Sequence, residues 1–404
     1  MRPRVLAWAA VAAAVPCLAL ALAPSARAAA PAANDPVALP ALRWALAPGE
    51  PCTAASQVTA ETEPWTVKEL GLPGAWQLSN GQGVTVGVVD TGVANGLRAL
   101  VGRVDGGGKD CVGHGSFAAG VIAGSPLAEG KVDGVASGAR VLAIAGTDER
   151  GATDPQRLAA GIRAAVDGGA RIVYVARALL DGREELTAAV AYATQKRALV
   201  IAPATPDAAP QGQGGQPDLT ARPYFPAFVP QVLSVAAHGP GGSPPKKAPA
   251  PFAPDLSAPG EAVVGIGPSG TGHYLGSGSS LAAAHAAGVA ALVLARDPRL
   301  TPEQLSQRLV ASAYPADVPQ LDAYAAVAAV PAPERPHGEP REPAARIAAA
   351  PHQQGLRTAL FIGGGTLGLV VLVAAGAFVV PRGRDRGWQP ADSPPGNGAE
   401  APGP

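Results

Sequence analysis

Three short motifs each place one reactive side chain among small residues. Asp90 follows the apolar run 84–89, His114 stands between two glycines, and Ser280 precedes an alanine-rich run. A carboxylate, an imidazole and a hydroxyl that meet in space turn the hydroxyl into a nucleophile for acyl transfer. Each motif alone has a plainer interpretation, because a strand-end Asp often makes a turn, a lone His is often structural and a Ser before a helix is often an N-cap. The chemistry therefore depends on a fold that brings the three side chains together.

Short apolar runs alternate with helical patterns between residues 82 and 330. The apolar runs predict buried strands and lie at 84–89, 140–144, 171–175 and 199–202. Apolar residues with helical spacing lie between the later runs, and these are Leu158, Ile162 and Ala165, then Leu186, Val190 and Ala193. Strand, helix, strand in this order predicts an α/β fold with a parallel sheet and helices on both of its faces.

This architecture suits two of the reactive side chains. Open parallel sheets bind ligands beyond the carboxyl ends of their strands, which is where Asp90 is expected. The run after Ser280 has a strong helical pattern, so Ser280 should lie at a helix N-terminus, whose free N–H groups favour a developing negative charge. Two Gly- and Pro-rich stretches, 203–222 and 239–254, are predicted to be surface loops.

The charge balance limits the partners that the chain can attract. Lysine plus arginine equals aspartate plus glutamate, at 31 each, so no net field draws an anionic polymer. We therefore expect no nucleic-acid partner. Aromatic residues are scarce at 4%, while alanine and glycine are abundant, which favours a core of closely packed small aliphatic side chains.

The first 28 residues have the order of a secretory signal peptide. Arg2 and Arg4 come first, an apolar run 5–23 follows, and small residues close the segment at Ala28. A lipoprotein signal at Cys17 is disfavoured, because Pro16 stands where a small residue is wanted. We expect the chain to be exported.

A second apolar segment, 357–380, is long enough to cross the roughly 30 Å hydrocarbon core of a membrane as a helix. Three arginines follow it at 382, 384 and 386, and positive residues prefer the cytoplasmic side. The Pro-rich stretch 331–356 before it predicts an extended linker, and 381–404 a short cytoplasmic tail. Together with the signal peptide, this predicts a single-pass protein of the cell membrane with its folded domain outside.

Two cysteines, Cys52 and Cys111, remain after removal of the signal peptide. In a compartment where disulfides persist, one bridge between them is expected, with two unpaired thiols as the alternative.

Taken together, the motifs around Asp90, His114 and Ser280 resemble the three motifs of the subtilase family, in that family's chain order. The resemblance covers residues 60–330, with support from the stretches 134–143, 232–237 and 256–260. It implies a subtilisin-like peptidase domain, assigned here to 73–330, with these three residues as the catalytic triad. Such a triad requires no metal or organic cofactor.

The surrounding features resemble one branch of that family, the mycosins, which are associated with type VII secretion. These features are the signal peptide, a cysteine before the domain, a second cysteine three residues before His114, the Pro-rich linker and the C-terminal apolar segment. The resemblance implies a type VII secretion membrane complex as a partner. It also implies that the segment from about Asn34 to Leu72, within an N-terminal extension assigned to 29–72, wraps the domain and is tied down by a Cys52–Cys111 disulfide.

Two segments depart from the subtilase pattern. The family supplies an Asn side chain to the oxyanion hole, and here Pro206 stands at or near that position, where it has no hydrogen to donate. The backbone N–H of Ser280 would remain, with Thr205 as a partial substitute for the lost donor.

The second departure is on the substrate strand. Where the family reads Asn-x-Ser-Leu-Gly, this chain has Tyr174, Val175, Ala176, Arg177 and Ala178. The substrate should still pair with the backbone of Ala176, Arg177 and Ala178. The Arg177 side chain has three alternatives: it favours acidic substrate residues, blocks the cleft or faces solvent.

These observations predict a serine endopeptidase that hydrolyses peptide bonds of exported proteins with reduced activity. The alternative is a catalytically degenerate pseudoprotease that serves as a scaffold of a secretion complex. A third class, a passive peptide receptor, predicts tight binding of a polypeptide without turnover.

Overall fold

The computed structural model describes residues 38–126, 132–246, 248–330, 373–377, 381–383 and 386–387. The chain divides into two compact units, Met1–Pro331 and Ala332–Pro404. The predicted signal peptide, 1–28, and linker, 331–356, lie outside the described residues. Within the predicted span 357–380, only 373–377 are described, and they are helical. Among the described residues, one helix is long and apolar enough to cross a membrane, Ser279–Arg296, and it is almost entirely buried inside the first unit.

A seven-stranded parallel sheet organises the first unit. Its strands in chain order are β1 Thr85–Asp90, β2 Val104–Asp105, β3 Arg140–Ala145, β4 Ile172–Val175, β5 Leu199–Pro203, β6 Val232–His238 and β7 Leu256–Pro259. They lie side by side in the order β2-β3-β1-β4-β5-β6-β7. A separate antiparallel pair follows, β8 Val263–Ile266 and β9 His273–Gly276. The four strands predicted from apolar runs correspond to β1, β3, β4 and β5.

Helices cover both faces of this sheet, as predicted. They are α1 Trp65–Glu69, α2 Leu72–Trp76, α3 His114–Ala123, α4 Pro155–Asp167, α5 Arg183–Gln195, α6 Ser279–Arg296, α7 Pro302–Ala311 and α8 Ala323–Ala328. Successive strand residues point to opposite faces, so Val88 packs in the core beneath α3 and α6, whereas Val89 packs in the core beneath α4 and α5. Because both faces of the sheet are buried, the side chains on both faces are apolar, and the strands are apolar throughout. The predicted subtilisin-like α/β fold is confirmed.

The helices α3 and α6, which carry His114 and Ser280, are built from small residues. Alanine has only a methyl side chain and glycine has none, so the two helices can lie close to their neighbours. A Cβ atom on Gly288 would lie 2.6 Å from Cβ of Val135, and one on Gly120 would lie 2.6 Å from the Ile266 side chain. The small-residue composition therefore produces a tightly packed and rigid support for the site.

The described part of the N-terminal extension is 38–72, and its first half lies along the domain. Leu42 donates its N–H to the carbonyl of Leu275 in β9, and Leu275 donates to Pro40. Further along the chain, Cys52 forms a disulfide with Cys111, which confirms the predicted bridge. This extension is thereby fixed to two separate parts of the peptidase domain.

Candidate active site

The fold brings the three predicted side chains into hydrogen-bond contact. Asp90 ends β1, His114 is the first residue of α3, and Ser280 is the second residue of α6. Nδ1 of His114 lies 2.7 Å from Oδ2 of Asp90, and Nε2 of His114 lies 3.0 Å from Oγ of Ser280. All three side chains are buried. This is the geometry of a carboxylate that orients an imidazole, which in turn faces a serine hydroxyl.

A fourth buried side chain, Asp110, holds the loops that carry Asp90 and His114. Its carboxylate accepts hydrogen bonds of 2.8 Å from the Thr91 hydroxyl and from the backbone N–H groups of Gly113 and Ser116. Burial raises the pKa of Asp110, while these hydrogen bonds act in the opposite direction. The sequence reasoning missed this residue, because only the folded loops show that three donors converge on it.

Ser280 owes its position to the start of α6. The N-cap residue of α6 is Gly278, two positions before Ser280. It has φ 152°, a backbone conformation that residues with a side chain rarely adopt. A Cβ atom at Gly278 would also lie only 2.2 Å from Oδ1 of Asp207. Glycine at this position therefore permits both the sharp entry to the helix and the close approach of a carboxylate.

Asp207 is a second residue at the site to which the sequence reasoning gave no role. Its Oδ1 accepts the backbone N–H of Ser280 at 2.9 Å, and its Oδ2 accepts the Ser280 hydroxyl at 2.6 Å. The same Oδ2 lies 3.4 Å from Nε2 of His114. A second carboxylate thus occupies the place where a peptide carbonyl oxygen would meet the Ser280 N–H.

The expectations for Pro206 and Thr205 need correction. The Thr205 hydroxyl bonds to the hydroxyl of Ser279 at 2.7 Å rather than facing the site around Ser280. Pro206 is half-buried and lines a surface hollow beside Leu179. The side chain that contacts Ser280 belongs to the next residue along the chain, Asp207.

The two carboxylates set the charge of the histidine. Burial alone would lower the pKa of His114, but the charge of Asp90 and hydrogen bonds to Asp207 and Asp90 outweigh it and raise the pKa to about 9. Burial would raise the pKa of Asp207, but the hydrogen bonds and charge of His114, together with hydrogen bonds from Ser280, lower it. Both neighbouring carboxyl groups therefore favour the protonated form of His114.

The predicted substrate strand follows β4 and is covered by the N-terminal extension. Arg177 is buried, so the solvent-facing alternative is wrong. Its guanidinium donates a hydrogen bond of 2.7 Å to the carbonyl of Trp44 and lies 5.9 Å from the centre of the Trp44 ring. Its Nε has no hydrogen-bond partner within the part of the chain that the structure describes. Ala176 and Ala178 flank it, the first buried and the second partly exposed.

On the other side of Trp44, the next residues of the extension contact a loop after β3. Leu46 donates its N–H to the carbonyl of Arg150 at 2.9 Å. A Cβ atom on Gly151 would lie 3.0 Å from the Trp44 carbonyl oxygen, so the two segments are in close contact. The extension therefore runs between Arg177 and the loop at 150–151.

The fold, the triad and its order in the chain define a serine-hydrolase site of the subtilisin type. Residues 81–338 match the family described as Subtilase family, Peptidase_S8, and the chain belongs to this family.

Among its relatives are the mycosins, as the sequence resemblance implied. The chain is similar to Mycosin-3 of Mycobacterium tuberculosis, with 31% identity over 393 residues, which is 78% of this chain and 83% of the relative. The solved structure of MycP3 protease from the type VII (ESX-3) secretion system aligns with a TM-score of 0.57 at 28% identity, over 74% of this chain and 99% of that chain. A chain in the periplasmic assembly from the ESX-5 inner membrane complex aligns with a TM-score of 0.60 at 25% identity, over 74% and 93% of the two chains.

Proposed function

We propose that this protein is a serine endopeptidase of the mycosin type that hydrolyses peptide bonds of exported proteins. One observation carries the proposal: His114 lies between Asp90 and Ser280 at hydrogen-bond distance from both. The family membership supports the same reaction class. The substrate is a polypeptide, which would pair with the backbone of Ala176, Arg177 and Ala178.

The geometry supports a standard order of steps. Ser280 Oγ attacks the carbonyl carbon of the peptide bond while His114 Nε2 accepts the hydroxyl proton, and the amine then leaves with that proton. Asp90 keeps the Nδ1 proton of His114 in place and stabilises the imidazolium formed during attack. Water then attacks the acyl carbon while His114 Nε2 accepts its proton, and His114 passes that proton to Ser280 Oγ as the acid product leaves. Turnover is expected to be slow, because the Ser280 N–H already donates a hydrogen bond to Asp207 before the substrate binds.

We further propose that the protein works outside the cytoplasm as part of a type VII secretion membrane complex. The similarity to a chain in the ESX-5 periplasmic assembly supports this partner, and the Cys52–Cys111 disulfide supports an oxidising compartment. The segment 357–380 would anchor the chain in the membrane as a single span, with the peptidase domain on the outer side.

A fluorophosphonate probe tests the enzyme directly, because it forms a covalent bond with an activated serine and needs no knowledge of the substrate. We expect labelling of the full-length protein in membranes that is lost in Ser280→Ala. Ser279→Ala is the matched control, since the neighbouring hydroxyl bonds to Thr205 instead of His114 and its loss should leave labelling in place. Labelling that survives in Ser280→Ala would refute the proposed nucleophile.

A second candidate is a pseudoprotease that serves as a scaffold of the complex. The observation that favours it is that the Asp207 carboxyl group accepts the hydrogen bond from the Ser280 N–H. A negative charge there opposes the negative charge that develops on the oxyanion during attack. The two candidates differ in a complementation experiment. If cells that lack the gene regain export with Ser280→Ala as fully as with wild type, and no serine is labelled, the scaffold role is the correct one.

A further inference from the structure

Three groups, Ser280, His114 and Asp207, share two mobile protons. Ser280 Oγ carries one hydrogen and has two neighbours at hydrogen-bond distance, Oδ2 of Asp207 at 2.6 Å and Nε2 of His114 at 3.0 Å. The second mobile proton is the one that His114 gains when it becomes an imidazolium. Asp90 holds the Nδ1–H of His114 and takes no part in the exchange.

Two arrangements of these protons satisfy every hydrogen bond. In the first, Asp207 is ionised: imidazolium Nε2–H donates to Ser280 Oγ, and the Ser280 hydroxyl donates to Asp207. In the second, Asp207 is a carboxylic acid: its O–H donates to Ser280 Oγ, and the Ser280 hydroxyl donates to neutral Nε2 of His114. The second follows from the first when Nε2 gives its proton to Oγ and Oγ passes its own to Oδ2. No proton is gained or lost.

Only the second arrangement is ready for attack. In the first, the histidine already holds a proton and the serine hydroxyl donates to Asp207 instead, so the imidazole cannot act as the base. An ionised carboxylate beside the Ser280 N–H would also repel the oxyanion that forms during attack. In the second, the base is free, and the carboxylic acid is a hydrogen-bond donor at the place where the oxyanion develops.

We propose that Asp207 is a catalytic residue whose carboxyl group, when protonated, donates the side-chain hydrogen bond to the oxyanion and, when ionised, holds the triad inactive. This inference rests on the proposed function, because it concerns the same nucleophile. It assigns to Asp207 the place that the family fills with an asparagine, and it makes activity depend on where one shared proton resides.

The surroundings of Asp207 support a shared proton. His114 faces it from α3, and the charge of Asp90 lies behind that histidine. Tyr174 in β4 is buried below the site, and burial together with the charges of Asp90 and Asp207 raises the pKa of its hydroxyl.

Two further charged groups face the site from loops. Arg177 lies near enough to lower the pKa of His114 by its charge. Burial raises the pKa of Glu261, a hydrogen bond to Ser277 opposes this, and the charge of Asp207 adds a smaller increase. Neither Arg177 nor Glu261 bonds to Asp207 among the described contacts, so His114 and Ser280 are the groups that exchange protons with it.

The proposal predicts that activity falls at alkaline pH, whereas an enzyme that needs only a neutral histidine keeps its activity there. His114 has its pKa raised to about 9, so above that value the shared proton is lost, Asp207 stays ionised and activity should fall. Without the Asp207 charge, the pKa of His114 should be lower. An enzyme with asparagine at this position should therefore gain activity up to neutral pH and keep it above about pH 9.

The experiment measures the rate of fluorophosphonate labelling of the full-length protein against pH. Asp207→Asn supplies a permanent donor and should label about 10²-fold faster than wild type near pH 7. It should lack the alkaline fall that wild type shows. Asp207→Ala removes both the donor and the charge, so it should also lack the alkaline fall but label more slowly than Asp207→Asn at every pH. Glu261→Gln is the matched control and should retain the wild-type profile.

The possible results separate this inference from the proposed function. Ser280-dependent labelling of all variants with one common pH profile would overturn the inference alone, as would an Asp207→Asn variant slower than wild type. Asp207→Ala labelling as fast as Asp207→Asn would overturn the donor role. No Ser280-dependent labelling in any variant would overturn the proposed function, and this inference with it.

A second readout does not depend on activity. NMR of isotope-labelled histidine follows the charge of His114 in the unlabelled enzyme, and we expect its pKa to fall on going from wild type to Asp207→Asn. Circular dichroism melting checks that the variants are folded. An unchanged pKa of His114 in a folded variant would contradict the shared proton.

Discussion

His238 should make the domain easier to unfold in acid. It ends β6 and is 3% exposed, its Nδ1 lies 3.1 Å from the Ser257 hydroxyl, and burial lowers its pKa from 6.5 to about 4. The fold therefore prefers the neutral imidazole, which the unfolded chain protonates more readily. The resulting stability is present above about pH 6.5 and is lost as the pH falls through about 4.

The two pKa values set the size of the effect. Protonation of His238 alone should lower the free energy of unfolding below its value at alkaline pH, by about 2 kcal/mol at pH 5 and about 3 kcal/mol at pH 4. His238→Gln removes the titrating group, keeps a polar side chain beside Ser257, and should reduce the acid loss by these amounts. His285 remains in the variant, and because burial also lowers its pKa to about 4, part of the acid loss should persist.

Urea unfolding followed by tryptophan fluorescence, at about pH 8, 5 and 4, measures both proteins. Any packing cost of the substitution is common to all three conditions, so only the change with pH tests the reasoning. Equal losses in wild type and His238→Gln between about pH 8 and 5 would refute it. The alkaline side is an internal control: His114 contributes stability that is present below pH 6.5 and is lost as the pH rises through about 9, and the variant must leave this unchanged.

Three further predictions concern the supports of the site. Asp110→Ala leaves three donors without a partner and should cost about 3 kcal/mol or more in thermal unfolding, with slower fluorophosphonate labelling; an unchanged labelling rate would contradict its positioning role. Replacing Cys52 and Cys111 by serine opens a link across 59 residues and should cost about 4 kcal/mol by denaturant unfolding. Trp44→Ala removes the aromatic ring over Arg177, a contact that contributes about 0.5–1 kcal/mol. This variant should be labelled a few-fold faster than wild type, whereas Trp44→Phe, which keeps a ring, should be labelled at nearly the wild-type rate.

The sheet and the meeting of the three reactive side chains could be predicted from local patterns. The run before Asp90 is apolar on both faces, which only a buried strand of a helix-covered sheet requires. The alanine-rich run after Ser280 predicted the helix α6, which begins at Ser279. In each case the residues that decide the structure are neighbours in the chain.

Asp207 and Arg177 could not be predicted in the same way, because their roles depend on residues far away in the chain. Asp207 contacts Ser280, which comes 73 residues later in the chain. Arg177 is buried because its partner, the carbonyl of Trp44, comes from the extension 133 residues earlier. A charged side chain in a single sequence does not show whether such a partner exists.

The disulfide has a consequence for when the protein becomes competent. Cys111 is the residue after Asp110, whose carboxylate fixes the loop of His114, and Thr53 in the extension bonds to the carbonyls of Cys111 and Val112. In a reducing cytoplasm this covalent link stays open. A newly made chain would then carry its catalytic histidine on a loosely held loop, and the loop would tighten only after oxidation. The bridge thus couples the order of the His114 loop to the redox state of Cys52 and Cys111.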